Sequence, residues 1–288
     1  MRVLIKKHVF VQPAPGYYSH TQISLVLRKP NMNDLVCHRL DEGFRSASRE
    51  PDALAAALYR EPRRGVSNGF NLAYGTKKAF WDYIADDSPR HGERFARAMH
   101  AVNINSLDAI SRLYPFDTLA ADGGLIVDIG GGQGHVAKAI LTSFPNSGLK
   151  CIVQDVHVNA SSVAVEGIEM QQHDFFDPQP MHGAAAYFFR HILHDWPDNA
   201  CVTLLRQTAR AMDRDRSRIL ICDQVMHDSS PSEASILYDI DMMSLFGGKE
   251  RSLEEWTALV ESADAGLKIT KVMLDPGSEA AMLELRLN

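Results

Sequence analysis

The chain has 288 residues, 45% of them hydrophobic and 23% charged, a balance that is typical of a folded protein and excludes wholesale disorder. Acidic residues outnumber basic ones by 36 to 30, so the net charge is −6 and we expect no nucleic-acid partner. The four cysteines form no C-x-x-C pair, and no apolar stretch approaches the ~20 residues of a membrane helix. We therefore expect no zinc module, no disulfide framework, no membrane association and a cytoplasmic location.

Residues 1 to about 120 carry mixed and mostly helical signals. The apolar runs 3–5 and 8–11 predict short extended segments, and Pro13, Pro15 and Gly16 then break the chain. Apolar residues at helical spacing predict helices, interrupted by a loop at 63–69, over residues 22–28, 51–59, 79–84 and 90 to about 113.

From about residue 125 the pattern becomes regular, because short apolar runs alternate with amphipathic segments. The runs are 125–129, 151–153, 184–189 and 219–222, and the helical segments are 135–144, 198–212 and 235–245. Continuous apolar strands separated by helices predict an α/β fold with a doubly wound, mostly parallel sheet. Segments 267–274 and 281–287, joined by a turn at 275–278, predict an antiparallel C-terminal hairpin.

The most informative stretch is LIVDIGGGQGH at residues 125–135, where a buried strand meets a glycine-rich turn and then a helix. Gly130 and Gly132 would allow close approach of a ligand to the backbone, and Asp155, after the second strand, suits ribose hydroxyls. A tight turn without a ligand is the alternative. The dinucleotide fingerprint requires a glycine where His135 stands, so a nucleoside without a pyrophosphate fits better than a nicotinamide cofactor.

Two further segments follow predicted strands. Asp174 and Phe175 come after the third strand, where a carboxylate and a ring could hold an adenine; a loop acid beside buried phenylalanines is the alternative. His194 follows the fourth strand at the same sheet edge, and its imidazole suits general-base chemistry near neutral pH. A metal site with His191 and Asp195, or a purely structural histidine, are the competing interpretations, and we expect no metal.

These motifs together resemble a known family. Their order and spacing are similar to those of class I S-adenosylmethionine-dependent O-methyltransferases, of the plant caffeate and flavonoid type and their fungal secondary-metabolite relatives. The segment 223–226 after the fifth strand resembles the fungal branch. The resemblance spans nearly the whole chain and is carried by Gly130 to Gly134, Asp155, residues 173–175, residues 194–196 and residues 247–251.

The resemblance implies S-adenosylmethionine as the cofactor and a small-molecule hydroxyl acceptor, phenolic or polyketide-like. It implies a catalytic His194, oriented by Asp223 and Glu250, although Asp223 replaces a longer glutamate of the plant members. The implied cofactor-binding residues are Asp128, Gly130, Gly132, Asp155, Asp174, Phe175 and Arg190. The implied acceptor-binding residues are Phe95, Met99, Met242 and Met243.

The resemblance also implies a domain organisation. Residues 1–60 would be the remnant of a winged-helix-like dimerisation domain, residues 61–118 connecting helices beside the acceptor, and residues 119–288 the catalytic domain. Most helices of the family's dimerisation region have no counterpart here, so the expected homodimer is in doubt. A methyltransferase-like protein that binds S-adenosylmethionine without methyl transfer, as a cyclase or pathway partner, is the alternative function.

Overall fold

The computed structural model describes residues 1–103, 107–157, 166–227, 229–263, 265–275 and 280–288. Its N-terminal part is mostly helical, as predicted. Polar caps begin two of its helices, since Thr21 and Asn68 each accept a backbone N–H three residues ahead. The elements are α1 (Arg2–Lys6), β1 (Phe10–Ala14), β2 (Tyr17–His20), α2 (Gln22–Val26), α3 (Pro30–His38), α4 (Phe44–Ala56), α5 (Gly69–Tyr74), α6 (Phe80–Asp82), α7 (Pro89–Asn103) and α8 (Leu107–Leu113).

Two of the predicted elements near the N-terminus are wrong. Residues 3–5 belong to helix α1 rather than to an extended segment, because β1 pairs with β2 and offers them no strand partner. The helix expected over 51–59 instead spans Phe44–Ala56, and Pro51 lies inside it. The apolar residues at helical spacing begin only at Ala53, which is why the sequence suggested a later start.

The C-terminal part alternates strands and helices. Its elements are β3 (Leu125–Ile129), α9 (His135–Ser143), β4 (Lys150–Asp155), β5 (Ile168–Gln172), β6 (Ala186–Arg190), α10 (Asp198–Ala211), β7 (Arg218–Met226), α11 (Glu233–Asp241), β8 (Arg251–Ser252), α12 (Leu253–Ser262), β9 (Leu267–Leu274) and β10 (Ala280–Leu287). The helix expected over 235–245 ends at Asp241, and a π-helical turn continues it over Met242–Phe246.

Strands β3 to β10 form one mostly parallel sheet in the order β5-β4-β3-β6-β7-β10-β9, with β8 paired to β7, while β1 and β2 form a separate two-stranded sheet. Strand β10 is antiparallel to both β7 and β9, which confirms the predicted C-terminal hairpin. Of its predicted turn, residues 276–278 lie outside the described residues. The strand order reverses at β3, whose neighbours are β4 and β6, and a crevice opens at such a switch point.

Two layers of apolar side chains cover the sheet. Tyr187 and Phe189 pack on one face with Trp256 of α12, while Phe188 packs on the other face with Ile140 of α9. Alternate residues of one strand therefore belong to different cores, which explains why the strand sequences are apolar throughout. Within the described residues, no helix combines the length and the apolar character needed to cross a bilayer.

The N-terminal helices cover the carboxyl edge of the sheet. Phe70 of α5, Phe80 of α6 and Phe95 of α7 pack in one cluster with Leu245 from the π-helical turn. Because this cluster lies between the two parts of the chain, it closes one side of the crevice at the switch point.

Candidate active site

A cavity of about 2100 Å³ lies between the carboxyl edge of the sheet and the N-terminal helices. The sequence-predicted residues that line it come from both parts of the chain: Phe95, Met99, Asp128, Gly130, Gly132, Asp155, Asp174, Phe175, Arg190, His194, Asp223 and Met242. The fold thus brings to one place side chains that are far apart in sequence.

The glycine-rich turn after β3 forms one wall of this cavity. Gly130 and Gly132 have φ of +71° and +57°, which side chains with a Cβ rarely adopt. A Cβ on Gly130 would lie 2.5 Å from Ile192 Cδ1, whereas none of the described atoms is within 4 Å of a Cβ placed on Gly132. The Gly132 N–H donates to Asp155 Oδ2 at 3.1 Å, which fixes that carboxylate beside the turn. The turn therefore leaves open space for a ligand next to the Asp155 carboxylate.

Asp128 and Arg190 lie near the carboxyl ends of the adjacent strands β3 and β6. Asp128 is buried, and among the described residues its Oδ2 has no hydrogen-bonding partner. Burial raises the pKa of Asp128 to about 7, with Asp155 adding to the rise and the Arg190 charge opposing it. A buried carboxyl that titrates near neutrality offers a polar contact to a ligand in this wall.

Asp174 and Phe175 follow β5, as expected. Asp174 Oδ1 accepts the Phe176 N–H at 2.9 Å, which shapes the loop and leaves the acid at the cavity wall. The Phe176 ring packs against Trp196, and the Arg64 guanidinium lies 3.5 Å from the Phe176 ring centroid. Arg64 belongs to the loop predicted at 63–69, and sequence reasoning gave it no role.

His194 lies in a 3-10 turn directly after β6, at the cavity wall. Its Nδ1 is 2.8 Å from Glu250 Oε1, and both side chains are buried. Glu250 comes just before α12, which begins with a capping box between Ser252 and Glu255. The capped helix and the Asp239 carboxylate, which accepts the Glu250 N–H at 2.9 Å, fix the position of this acid.

The expected contact between Asp223 and His194 is not found. Asp223 lines the cavity, but among the described residues neither of its carboxylate oxygens has a hydrogen-bonding partner. Its side chain is one methylene shorter than the family's glutamate, which accounts for the missing contact. Asp195 comes closer, with Oδ1 3.5 Å from His194 Nε2. The sequence pointed to Asp195 only as a possible metal ligand, not as a neighbour of the imidazole.

The acids around His194 control its charge. Burial opposes protonation of the ring, but the negative charges of Glu250, Asp195 and Asp223 outweigh it and raise the pKa of His194 to about 10. Burial also raises the pKa of Asp195 to about 7 and that of Asp223 to about 6. At neutral pH the imidazole is therefore protonated, with Asp223 and part of Asp195 ionised beside it.

Arg251 is another residue to which the sequence assigned no role. Its fully buried guanidinium donates to the carbonyl oxygens of Leu193 and Trp196, both at 2.9 Å, and to Asp198 Oδ1 at 2.7 Å. These bonds hold the turn that carries His194. The signal was the GGKER segment at 247–251, in which the second glycine also matters, since a Cβ on Gly248 would lie 2.0 Å from the His194 carbonyl oxygen.

The other side of the cavity is aromatic. We call the region lined by Phe80, Trp81, Phe95 and Phe246 the aromatic chamber. Trp81 and Phe246 are stacked with centroids 5.2 Å apart, and Phe80 meets Phe95 edge to face. Between the two methionines proposed for the acceptor, Met242 lies in the cavity wall and Met243 is not among the lining residues.

Comparisons with known proteins show which family the chain belongs to. A family model described as an O-methyltransferase domain matches residues 53–266. The chain is 68% identical over 288 residues to the O-methyltransferase asqN of Emericella nidulans, and the alignment covers 100% of both proteins.

Solved structures show the same fold. OxaC in complex with SAH and oxaline superposes with a TM-score of 0.88 at 28% identity, over 100% of this chain and 74% of that one. LepI in complex with SAM superposes with a TM-score of 0.85 at 26% identity, over 100% of this chain and 75% of that one. A family model that spans most of the chain, together with a relative identical at two positions in three, shows that this protein belongs to the O-methyltransferase family.

Proposed function

We propose that the protein transfers the methyl group of S-adenosylmethionine to a hydroxyl oxygen of a phenolic or polyketide-like small molecule, with His194 as the general base. The observation that carries the proposal is the His194–Glu250 pair, joined at 2.8 Å, in which His194 lines the cavity that also contains the glycine-rich turn. The family and the fungal relatives support the reaction class, and they do not favour the alternative of a protein without methyl transfer.

The residues at the turn fit S-adenosylmethionine. The open space beside Gly132 accommodates a ligand, Asp155 is placed for the ribose hydroxyls, and Asp174 and Phe175 suit the adenine amino group and ring. Bound S-adenosylmethionine supplies a sulfonium methyl group, which an oxygen nucleophile attacks in line. The contribution of the chain is mainly to orient the two reactants, and orientation can lower such a barrier by ~7–11 kcal/mol.

His194 would take the proton of the acceptor hydroxyl. In the neutral imidazole, Glu250 occupies Nδ1 and favours the N–H there, which leaves Nε2 as the proton acceptor. A conjugate acid with a pKa of about 10 matches an ordinary phenol, whose pKa is also ~10, so the proton moves from phenol to neutral imidazole with little change in free energy. Because the imidazole is neutral only as the pH approaches 10, we expect the rate to rise with pH up to about that value. Glu250 then stabilises the imidazolium, as the third member does in other base-assisted sites.

The aromatic chamber supports an aromatic acceptor. Phe95 and Met99 lie on α7, and Met242 lies in the opposite π-helical turn, so the two parts of the chain would enclose the acceptor between them. We accordingly assign residues 61–118 to the acceptor pocket and residues 119–288 to the catalytic domain, which holds the cofactor and adds His194 and Met242 to that pocket.

Two experiments test the proposal on the full chain. Calorimetry with S-adenosylmethionine is expected to show one-to-one binding, and incubation with a panel of phenols is expected to yield a methyl ether and S-adenosylhomocysteine in equal amounts. Binding of S-adenosylmethionine without product from any phenol of the panel would contradict methyl transfer to this class of acceptor.

The proposal extends to a homodimer in the cytoplasm. Apolar side chains are exposed along residues 1–26, among them Val3, Tyr17 and Ile23, and contiguous apolar surface favours association. Sedimentation at several concentrations is expected to show a species larger than the monomer. A stable monomer at all concentrations would argue against the dimer.

A further inference from the structure

His38 is a polar residue in the wall of the aromatic chamber. It is the last residue of α3, only 2% of its surface is exposed, and it lines the cavity. Its ring meets the edge of Phe95 at a centroid distance of 5.2 Å and that of Phe80 at 6.3 Å. Ligand pockets are mostly apolar, and a small number of polar groups fixes the orientation of the ligand. A histidine at this place therefore calls for an explanation.

Glu42, one turn later, provides a partner for this histidine. Glu42 Oε2 lies 3.3 Å from His38 Nδ1, which is an ion-pair distance without hydrogen-bond geometry, and the Glu42 side chain is 1% exposed. The other oxygen, Oε1, accepts from Arg94 Nη2 at 2.5 Å, and Arg94 also binds Asp41. The carboxylate beside Nδ1 favours the N–H on that atom, which leaves Nε2 as the ring atom available to a ligand.

A metal site and a purely structural role explain the cluster less well. Asp41, Glu42 and His91 have ligand atoms within 4.8 Å of one another, but the Arg94 guanidinium already binds both acids. The Arg94 ion pairs also hold the segment after α3 against α7, so that packing does not require a histidine at position 38.

We propose that His38, positioned by Glu42, is the second polar anchor for the acceptor and accepts a hydrogen bond from a second hydroxyl group of a planar aromatic molecule. This inference rests on the proposed function, in which His194 receives the hydroxyl that is methylated. Two polar anchors separated by aromatic walls select acceptors that carry two hydroxyl groups. A site built to hydrogen-bond a hydroxyl discriminates strongly against an analogue that lacks it, since the buried polar group is then left unpaired.

Binding to the full chain saturated with S-adenosylhomocysteine tests this anchor without requiring turnover. The probes are 1-naphthol and the 1,5-, 1,6- and 1,7-dihydroxynaphthalenes, and calorimetry gives each Kd. We expect at least one dihydroxynaphthalene to bind the unmodified protein ~10-fold or more tightly than 1-naphthol does. His38→Phe keeps a ring between Phe80 and Phe95 and is expected to remove this preference, while the Kd of 1-naphthol changes less than ~3-fold.

His91→Phe is the matched control, since His91 lies 3.8 Å from Asp41 in the same charged cluster and is not among the residues lining the cavity. It is expected to keep the preference, and His38→Gln, which retains an acceptor, is expected to restore part of it. Unchanged affinity for S-adenosylhomocysteine shows that each variant is folded. Equal affinity of the unmodified protein for all four probes, or equal weakening of all four by His38→Phe, would overturn the proposal.

Methyl transfer is measured in parallel with the same probes. If the preference depends on His38 but no methyl ether forms, the anchor stands and the proposed function fails for these acceptors. If methyl ethers form and His38→Phe affects 1-naphthol and the dihydroxynaphthalenes equally, the proposed function stands and the anchor fails.

Discussion

Replacing Glu250 by Gln should lower the pKa of His194. The amide keeps a carbonyl oxygen for Nδ1–H, so the geometry at 2.8 Å is retained while the negative charge is removed. At this distance and an effective dielectric constant of ~20, the attraction between the two charges is about 6 kcal/mol, equivalent to about 4 pKa units. Asp195 and Asp223 remain, and burial opposes protonation, so we expect the pKa of His194 to fall from about 10 by ~2 units or more.

Nuclear magnetic resonance of protein with ¹³C-labelled histidine measures this pKa directly, with the His194 signal assigned from the His194→Gln spectrum. Where a phenol is turned over, the rising limb of kcat/KM against pH should move to lower pH in the same variant. Glu254→Gln is the control, because it makes the same chemical change at an exposed position four residues away. A His194 pKa that Glu250→Gln leaves unchanged would refute the assignment of Glu250 as its charge partner.

Three further predictions concern the buried groups around the site. Asp223 has a folded pKa of about 6, above its usual 3.8, so its ionisation disfavours the folded state increasingly as the pH rises from about 4 to 6. Asp223→Asn should therefore raise the free energy of unfolding by about 3 kcal/mol at pH 8 and change it little at pH 4. Urea titrations that show the same effect at both pH values would contradict this. Gly130→Ala should weaken S-adenosylhomocysteine binding ~10-fold in calorimetry, since the new Cβ meets Ile192 and φ is +71°. Gly16→Ala is the control, because Gly16 also has a positive φ but lies in open space, and it should leave the affinity unchanged. Equal affinities of the two variants would disprove the close approach of the ligand to the backbone at Gly130. Arg251→Met should lower the free energy of unfolding by about 3 kcal/mol, because two carbonyls and Asp198 lose a buried partner, and a loss below ~1 kcal/mol would show that these bonds are dispensable.

The sheet was predictable because its strands and turns carry strong local signals. Strand β3, its glycine turn and the C-terminal hairpin follow from apolar runs bounded by glycine or proline. The N-terminal segments are less determined by their own sequence. Residues 3–5 would suit a strand, and only the lack of a neighbouring strand makes them helical, which is a property of the whole fold rather than of three residues.

The candidate site was predictable where motifs carry the chemistry and less so where packing does. His194 and Glu250 were named from the sequence, and the fold brings them to 2.8 Å although 56 positions separate them. The near approach of Asp195 instead of Asp223 depends on side-chain length and on the shape of the 3-10 turn. The role of Arg251 depends on carbonyl groups of the turn, which no residue pattern displays.

The most direct test of the central claim follows a ¹³C-labelled methyl group from S-adenosylmethionine to a phenol in the unmodified protein and in His194→Gln. We predict that the label appears on the phenolic oxygen with the unmodified protein. With His194→Gln the transfer should be at least ~100-fold slower, while the affinity for S-adenosylhomocysteine changes less than ~3-fold. Transfer at an equal rate in both proteins would contradict the assignment of His194 as the general base.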